Sequence, residues 1–278
     1  MTMASPARVA RQIPLYLTLA AGAFAMAFPF LWMGLSAFKT PAEIAAVPPV
    51  WVPERLSFDN FVRVFEVAPF ATYLRNSVLV TAVCVLVTQA TSIMAAFAFS
   101  ALRFKGRDWL FAAVVSLMVA PFELLIITNY ATMADLRLID TLPALVLPFV
   151  SSIFYMFIIR TTFQSVPEGL YWAARIDGAG NWRYLWTILV PVARPTITTT
   201  SLLNAIAAWN AFMWPLLVIN TSANRTLPVG LYSFITEGGV RYELLMAAAT
   251  VAVLPMLMLF AVASNQIIQG IARGGLKG

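Results

Sequence analysis

Six apolar stretches, separated by nothing long enough to form a soluble domain, decide what this chain can fold into. They cover residues 13–38, 77–102, 109–133, 142–159, 196–219 and 244–268. A helix rising about 1.5 Å per residue needs about 20 such residues to cross about 30 Å of hydrocarbon. Composition agrees: 61% of the 278 residues are hydrophobic and 11% are charged, against about 45–50% and about 25% in soluble domains. The expectation is an all-α, polytopic membrane protein with six transmembrane helices. The first stretch contains "LAAGAFAMA", with small residues at signal-peptidase spacing, but continues through "FPFLWMGLSAF". That is longer than the roughly 7–15-residue core of a cleaved signal, so it reads as an uncleaved first span.

Charge sets the expected orientation. Of the 18 Lys and Arg, 11 fall on one side of the six-span scheme. They include Arg8, Arg11, the Arg103, Lys105 and Arg107 cluster, Arg175, Arg183 and Arg273. The other side carries seven, among them Lys39, Arg55, Arg63 and Arg241. The positive-inside rule places the richer side, and both termini, in the cytoplasm. The net charge of +6 does not gather with exposed aromatics as a nucleic-acid surface would. Histidine is absent, which removes the commonest general base and metal ligand. Cys84, the single cysteine, lies in an apolar run and reads as a small buried hydrophobe. No phosphate-binding loop G-x-x-x-x-G-K-[ST] occurs, so any ATPase must be another chain.

One segment interrupts the apolar pattern: "SVPEGLYWAARIDGAGNWRYLWTILVPVARP". Ser165 and Glu168 have capping-box spacing around Pro167, which predicts a helix start. Leu170, Ala173, Ala174 and Asp177 share one predicted face. Gly178 suits a left-handed helix end, Asn181 a second cap, and Pro191 and Pro195 a break before the fifth span. Helix, glycine elbow, helix makes a rigid lever with paired alanines that another surface could approach closely. An ordinary connecting loop would explain the charges but not the capped, hinged geometry. On the opposite side, Phe58, Phe61, Val62 and Phe65 recur at helical spacing behind Ser57. That pattern fits an amphipathic helix on the membrane surface or one packed over the ends of the spans.

"AARIDGA" with "ILVPVARP" downstream resembles the EAA loop of ABC importer permeases. "LSAFKTPAEI", "PPVWVPERLSFDNFVRVF", "RNSVLVT", "ALRFKGRDWLF", "WNAFMWPLLV" and the terminal "GGLKG" resemble the carbohydrate-importer, MalG-like branch of binding-protein-dependent transport. The resemblance implies the type I importer permease fold in a bacterial inner membrane. It implies a second, MalF-like permease, two ATP-binding subunits carrying ATP and Mg, and an extracytoplasmic solute-binding protein. It also implies that this chain itself holds no cofactor and does no covalent chemistry. Residues 1–12 would be a cytoplasmic N-terminus and 13–268 the permease domain. Within that domain, 39–76 would be an extracytoplasmic segment and 160–195 the coupling loop. Residues 269–278 would be a tail reaching toward the ATPase, or a frayed terminus. Ala173, Ala174, Asp177 and Gly178 would dock on the ATPase. The family's glutamate position holds Trp172, so an apolar contact with Ile176, or Glu168 nearby, would have to replace an ion pair.

Within the spans, Glu123 is the one acidic residue, about 21 Å along a straight helix from Trp109. A charge there faces a cavity or a partner, so it lines the path, braces a gate, or pairs with the other permease. In "TITTTSLLNAIAAWNAFMWPLL", Asn204 and Asn210 offer hydrogen bonds, and Trp209 and Trp214 offer stacking faces for a sugar. Six residues apart, the two asparagines cannot face one pore centre, and the threonine run suits helix packing. Asn129 and Tyr155 are further path candidates. In maltose-type systems the other permease holds most sugar contacts, so lining does not require binding. A phosphate-bearing cargo such as glycerol-3-phosphate would favour a basic path. No Lys or Arg lies well inside a span, which points to a neutral sugar, with polyols also open. An ion-coupled transporter acting alone would want several buried ionisable groups and matching broken helices.

Overall fold

The computed structural model describes residues 6–236 and 239–275, and in the terminal helices the side chains of residue 12 and of 14–261. The chain divides into two compact units, Met1–Ala68 with Leu231–Leu254, and Pro69–Gly230 with Pro255–Gly278.

In the first unit, α1 (Pro6–Ser36) runs 31 residues with Pro14 and Pro29 inside it. Its apolar side chains lie open, as a helix designed to face lipid or a partner chain would. Thr40 caps α2 (Pro41–Ala45): the Glu43 amide donates to the Thr40 hydroxyl, and the Thr40 amide to the Glu43 carboxylate at 2.7 Å. α3 (Asp59–Val67) is tied to the end of α1 by buried Asn60, whose Nδ2 donates to the Ala37 and Lys39 carbonyls at 2.9 and 2.8 Å. Phe38 packs on Phe58 and Phe61, while Phe58, Val62 and Phe65 stay exposed. Ser57 accepts from the Asp59 amide, and Phe58 occupies the cap position of α3 without a side-chain bond. A two-residue hairpin follows, β1 (Ile235–Thr236) against β2 (Gly239–Val240), antiparallel with Ile235 opposite Val240. The first part of α15 (Tyr242–Gly275) completes the unit.

The second unit is built on α4 (Phe70–Ser100), a 31-residue apolar helix that packs against α8 (Ile153–Gln164) and α12 (Arg194–Trp209). It starts seven residues before the expected span. Small polar side chains on α4 bond to neighbouring backbone, the way helices adhere where apolar surface offers no contrast with lipid. Thr88 and Thr91 donate to the Phe149 and Val150 carbonyls, and Thr200 donates to Gln89. Asn76 holds the Ala223 and Arg225 carbonyls, and Ser77 accepts from the Leu227 amide.

Among the described residues, three helices are long and apolar enough to cross a bilayer, or five if two bent pairs count as one span each. Two of the six expected apolar stretches, or parts of them, are therefore bent helix pairs. α5 (Arg107–Ser116) and its short 3₁₀ extension meet α6 (Phe122–Asp135) at 97°, across Ala120 and Pro121. Pro121 cannot donate to the preceding turn, and it holds Ala120 extended at ψ 112°. α7 (Leu142–Val146) with its extension meets α8 at 48°. The fifth stretch also breaks: α12 ends at Trp209, and α13 (Met213–Val218) follows after a short gap. The expected tail, 269–278, has its side chains outside the described residues, as does the start of the 1–12 segment.

Candidate coupling element and membrane path

The interrupting segment folds as a short helix, an elbow and a broken second helix. α9 (Glu168–Ile176) starts behind Pro167, which is fixed near the helical φ. The capping box does not form. Ser165 instead ends α8, its hydroxyl donating to the Thr162 carbonyl at 2.8 Å, while Pro167 holds the cap position of α9.

The elbow is as the residues dictate. Gly178 sits at φ +75°, where a Cβ would be strained. The Gly178 amide donates to the Arg175 carbonyl at 3.1 Å and the Ala179 amide to the Ala174 carbonyl at 2.9 Å. That double bond pattern is the Schellman ending, with its apolar contact supplied by buried Ala174 and Ala179. Asn181 is the first helical residue of α10 (Asn181–Tyr184), and Gly180 holds the cap position, so the expected Asn181 cap is not made. A π-helical turn over Leu185–Leu189 carries the chain into α11 (Val190–Val192), where Pro191 lacks the amide a regular turn would use.

One side of this element is a core. Ala174, Ala179, Tyr184, Leu185 and Leu189 pack with Phe97, Phe99, Ile159 and Phe163. Tyr171 and Tyr184 meet edge to face at 5.1 Å, and burial pushes the Tyr184 phenol upward. The other side is open: Ile176 is 86% exposed and Trp172 50%, with Leu170, Ala173, Asp177 and Gly178 also exposed. This corrects the paired-alanine face. Ala173 points outward, and Ala174, at 5% exposure, belongs to the core. Glu168 is exposed at the start of α9. The Arg103 guanidinium lies 5.8 Å from the Trp172 ring.

The path candidates do not converge. Glu123 is exposed in the first turn of α6, immediately after the bend, so its depth along a straight helix does not apply. Asn129 and Tyr155 are half-buried, on α6 and in the first turn of α8. Asn204 is buried, its Nδ2 3.5 Å from the Cys84 carbonyl. Asn210 ends α12, exposed, and donates to the Ile206 carbonyl. Trp209 and Trp214 are buried at 6% and 3% exposure, and the Trp214 indole donates to the Ala144 carbonyl at 2.9 Å. Neither ring is a free stacking face, which corrects that expectation. Phe122 packs edge-on against Trp214, so the indole braces the α6 bend. Asn204, Trp214 and Cys84 line a cavity of about 100 Å³, below the roughly 300–1,000 Å³ of ligand pockets.

Arg103 and Arg107 carry no sequence signal as site residues beyond their place in "ALRFKGRDWLF". The fold brings both beside α9, where they line a cavity with Glu168 and Trp172.

Residues 23–273 match the family described as binding-protein-dependent transport system inner membrane component. The chain belongs to this family. Among the permease's relatives, the arabinooligosaccharides transport system permease protein AraQ of Halalkalibacterium halodurans is 31% identical over 259 residues, 92% of this chain and 93% of its own. The diacetylchitobiose uptake system permease protein DasC of Streptomyces coelicolor is 30% identical over 255 residues, 91% and 92% of the two chains. A solved bacterial ABC transporter involved in import of the acidic polysaccharide alginate superposes with TM-score 0.84 at 22% identity, covering 95% of this chain and 99% of that one. A second solved structure superposes at 0.67 and 17% identity, covering 94% and 97%. It is an alginate ABC transporter in complex with alginate pentasaccharide-bound periplasmic protein. At these identities the structural likeness establishes the fold.

Proposed function

We propose that this permease is one of two membrane subunits of an ATP-driven importer that takes a carbohydrate, a neutral sugar or oligosaccharide, from an extracytoplasmic binding protein. The observation that carries the coupling part is α9. It is a short helix clamped on one side to the core of its own unit and uncovered on the other, with a glycine elbow fixing its exit. A lever must be rigid where it is held and open where it is gripped. The gripping surface here is Trp172, Ala173, Ile176 and Asp177, with Glu168 and Gly178 at its ends. ATP and Mg would reside on two partner ATPase subunits. Their closure would push on α9, and α8 and α4, packed on the same core, would carry the movement into the membrane. Relatives named for oligosaccharide and aminosugar transport support the cargo class.

The same reading places six crossings, each bent pair counting as one and α12 with α13 as the fifth, with both termini in the cytoplasm of the inner membrane. The segment 39–76 would then face outward and 160–195 inward, within a permease domain 13–268 flanked by 1–12 and 269–278. Glu123, Asn129, Tyr155 and Asn210 remain the path candidates with accessible polar atoms. Asn204, Trp209 and Trp214 would act by shaping the helices around the path.

The test is nucleotide hydrolysis by the co-purified complex in lipid nanodiscs, with the cognate binding protein and a panel of sugars. Stimulation by one loaded binding protein is expected, and it should be lost in Gly178→Pro and Ala173→Glu complexes that still assemble. Full stimulation in both variants would reduce α9 to a connector.

A further inference from the structure

We propose that the cavity beside α9, together with the groove that continues it along the α4–α5 loop, binds the phosphodiester headgroup of an anionic lipid. The cavity, about 280 Å³, is lined by Arg103, Arg107, Gln164, Tyr171, Trp172 and Tyr184, among others. Through Arg103, Arg107 and Glu168 it is continuous with an open groove of about 740 Å³ that adds Lys105 and Asp108. Three cations therefore face two carboxylates, and Arg160, which donates to Gln164 and lies within electrostatic reach of Arg107 and Asp108, adds a further positive charge beside them. Asp108 is already engaged with Arg107 at 3.0 Å, the one ion pair among the described residues. Arg103 and Lys105 are exposed, with Glu168 as the remaining counter-charge in the groove. A phosphodiester carries a single negative charge, which this positive excess attracts. Guanidinium groups bind phosphate oxygens in a bidentate fork. Gln164, Tyr171 and Tyr184 offer amide and hydroxyl groups for the headgroup's own hydroxyls.

The rim favours a lipid over a soluble anion. Phe104, Trp109 and Leu110 flank the basic residues in sequence and are 42%, 77% and 43% exposed. Aromatic side chains beside basic ones are the composition of a membrane interface, where ring and acyl chain lie together. A free phosphate would use the charges and leave the apolar rim bare. The site joins the α4–α5 loop to α9, so an occupied groove would fasten the proposed lever to the lipid surface. Only the choice of the cytoplasmic leaflet rests on the proposed orientation; the binding itself does not.

The test is native mass spectrometry of the full chain in detergent, needing no ATPase and no sugar. The added probes are phosphatidylglycerol, phosphatidylcholine or inorganic phosphate. Phosphatidylglycerol should be retained over phosphatidylcholine. Retention should fall about thirtyfold in Arg103→Gln/Lys105→Gln, whose side chains lie outside the core, given the attraction of each basic residue to anionic headgroups. Arg55→Gln/Arg63→Gln, which removes two exposed charges elsewhere, should leave it unchanged. Equal retention of the two lipids, equal loss in both double variants, or displacement by millimolar phosphate would each overturn the assignment.

Discussion

Ala173 and Ala174 are adjacent, but a helix turns about 100° per residue, and the two side chains meet different surroundings. Ala174 touches the core of Phe97, Ile159 and Leu185, whereas Ala173 faces outward. A carboxylate at 174 would be buried without a partner, a change that costs about 3–5 kcal/mol. At 173 it would alter stability by only about 0.5 kcal/mol. Ala174→Glu should therefore lower the thermal unfolding temperature of the detergent-solubilised chain sharply, while Ala173→Glu should leave it in place. If Ala173→Glu unfolds as readily, the outward face of α9 is wrongly assigned. Asp140 gives a pH-dependent case outside the spans. Its Oδ1 accepts from the Asn220 and Thr221 amides at 3.0 Å each and from the Thr221 hydroxyl. Those bonds, led by the Thr221 amide, hold its carboxyl below the ordinary value of 3.8. A depressed folded pKa means stability present above the unfolded pKa and lost as pH falls through the folded one. The melting-temperature gap between wild type and Asp140→Asn should thus be full at pH 6 and close as the pH falls below about 4. A gap independent of pH would mean that the charge contributes nothing.

At the element scale, the approach of α14 (Leu227–Gly230) to α4 depends on one missing methyl group. A Cβ on Gly230 would overlap the ring of buried Tyr73. Overpacking of this kind costs about 1–3 kcal/mol, so Gly230→Ala should destabilise. Combining it with Tyr73→Leu should cost less than the two changes added together, because the second removes what the first strikes. Strict additivity in unfolding measurements would show that the ring simply moves aside. Sequence could not reveal this contact, since nothing in "LPVG" points to Tyr73, far upstream in the chain. By contrast, the α9 elbow was legible: Gly178 follows the last periodic residues of α9 and suits a left-handed ending wherever the rest of the chain lies. What the sequence missed was which side of α9 faces inward, because Ala173 and Ala174 are identical in chemistry and only the core beneath them distinguishes them. The capping box failed for a related reason. Ser165 has two helices within reach, and the end of α8 takes its hydroxyl.

For the whole molecule, run length located every apolar segment but not the turns within them. Hydrophobicity is blind to direction, so the 97° bend at Pro121 and the break after Trp209 needed the packing of Phe122 on Trp214 and Phe149 to appear. The proposed six crossings are most exposed to disproof at that break. α12 has 16 residues, about 24 Å of helix at 1.5 Å per residue, which is short of about 30 Å of hydrocarbon. Only with α13 would it reach across. Cysteine labelling decides this, and the background is favourable. Cys84 is 3% exposed, so its thiol lies out of reach of an aqueous reagent. Lys105→Cys, Arg183→Cys, Arg55→Cys and Arg241→Cys each place a thiol on an exposed position. With a membrane-impermeant maleimide on intact spheroplasts, the 55 and 241 variants should label, and the 105 and 183 variants only after permeabilisation. Labelling of 183 and 241 from the same side would mean that α12 and α13 enter and leave by one face. The importer-like arrangement of six crossings would then fail, even though α9 and its core could stand unchanged.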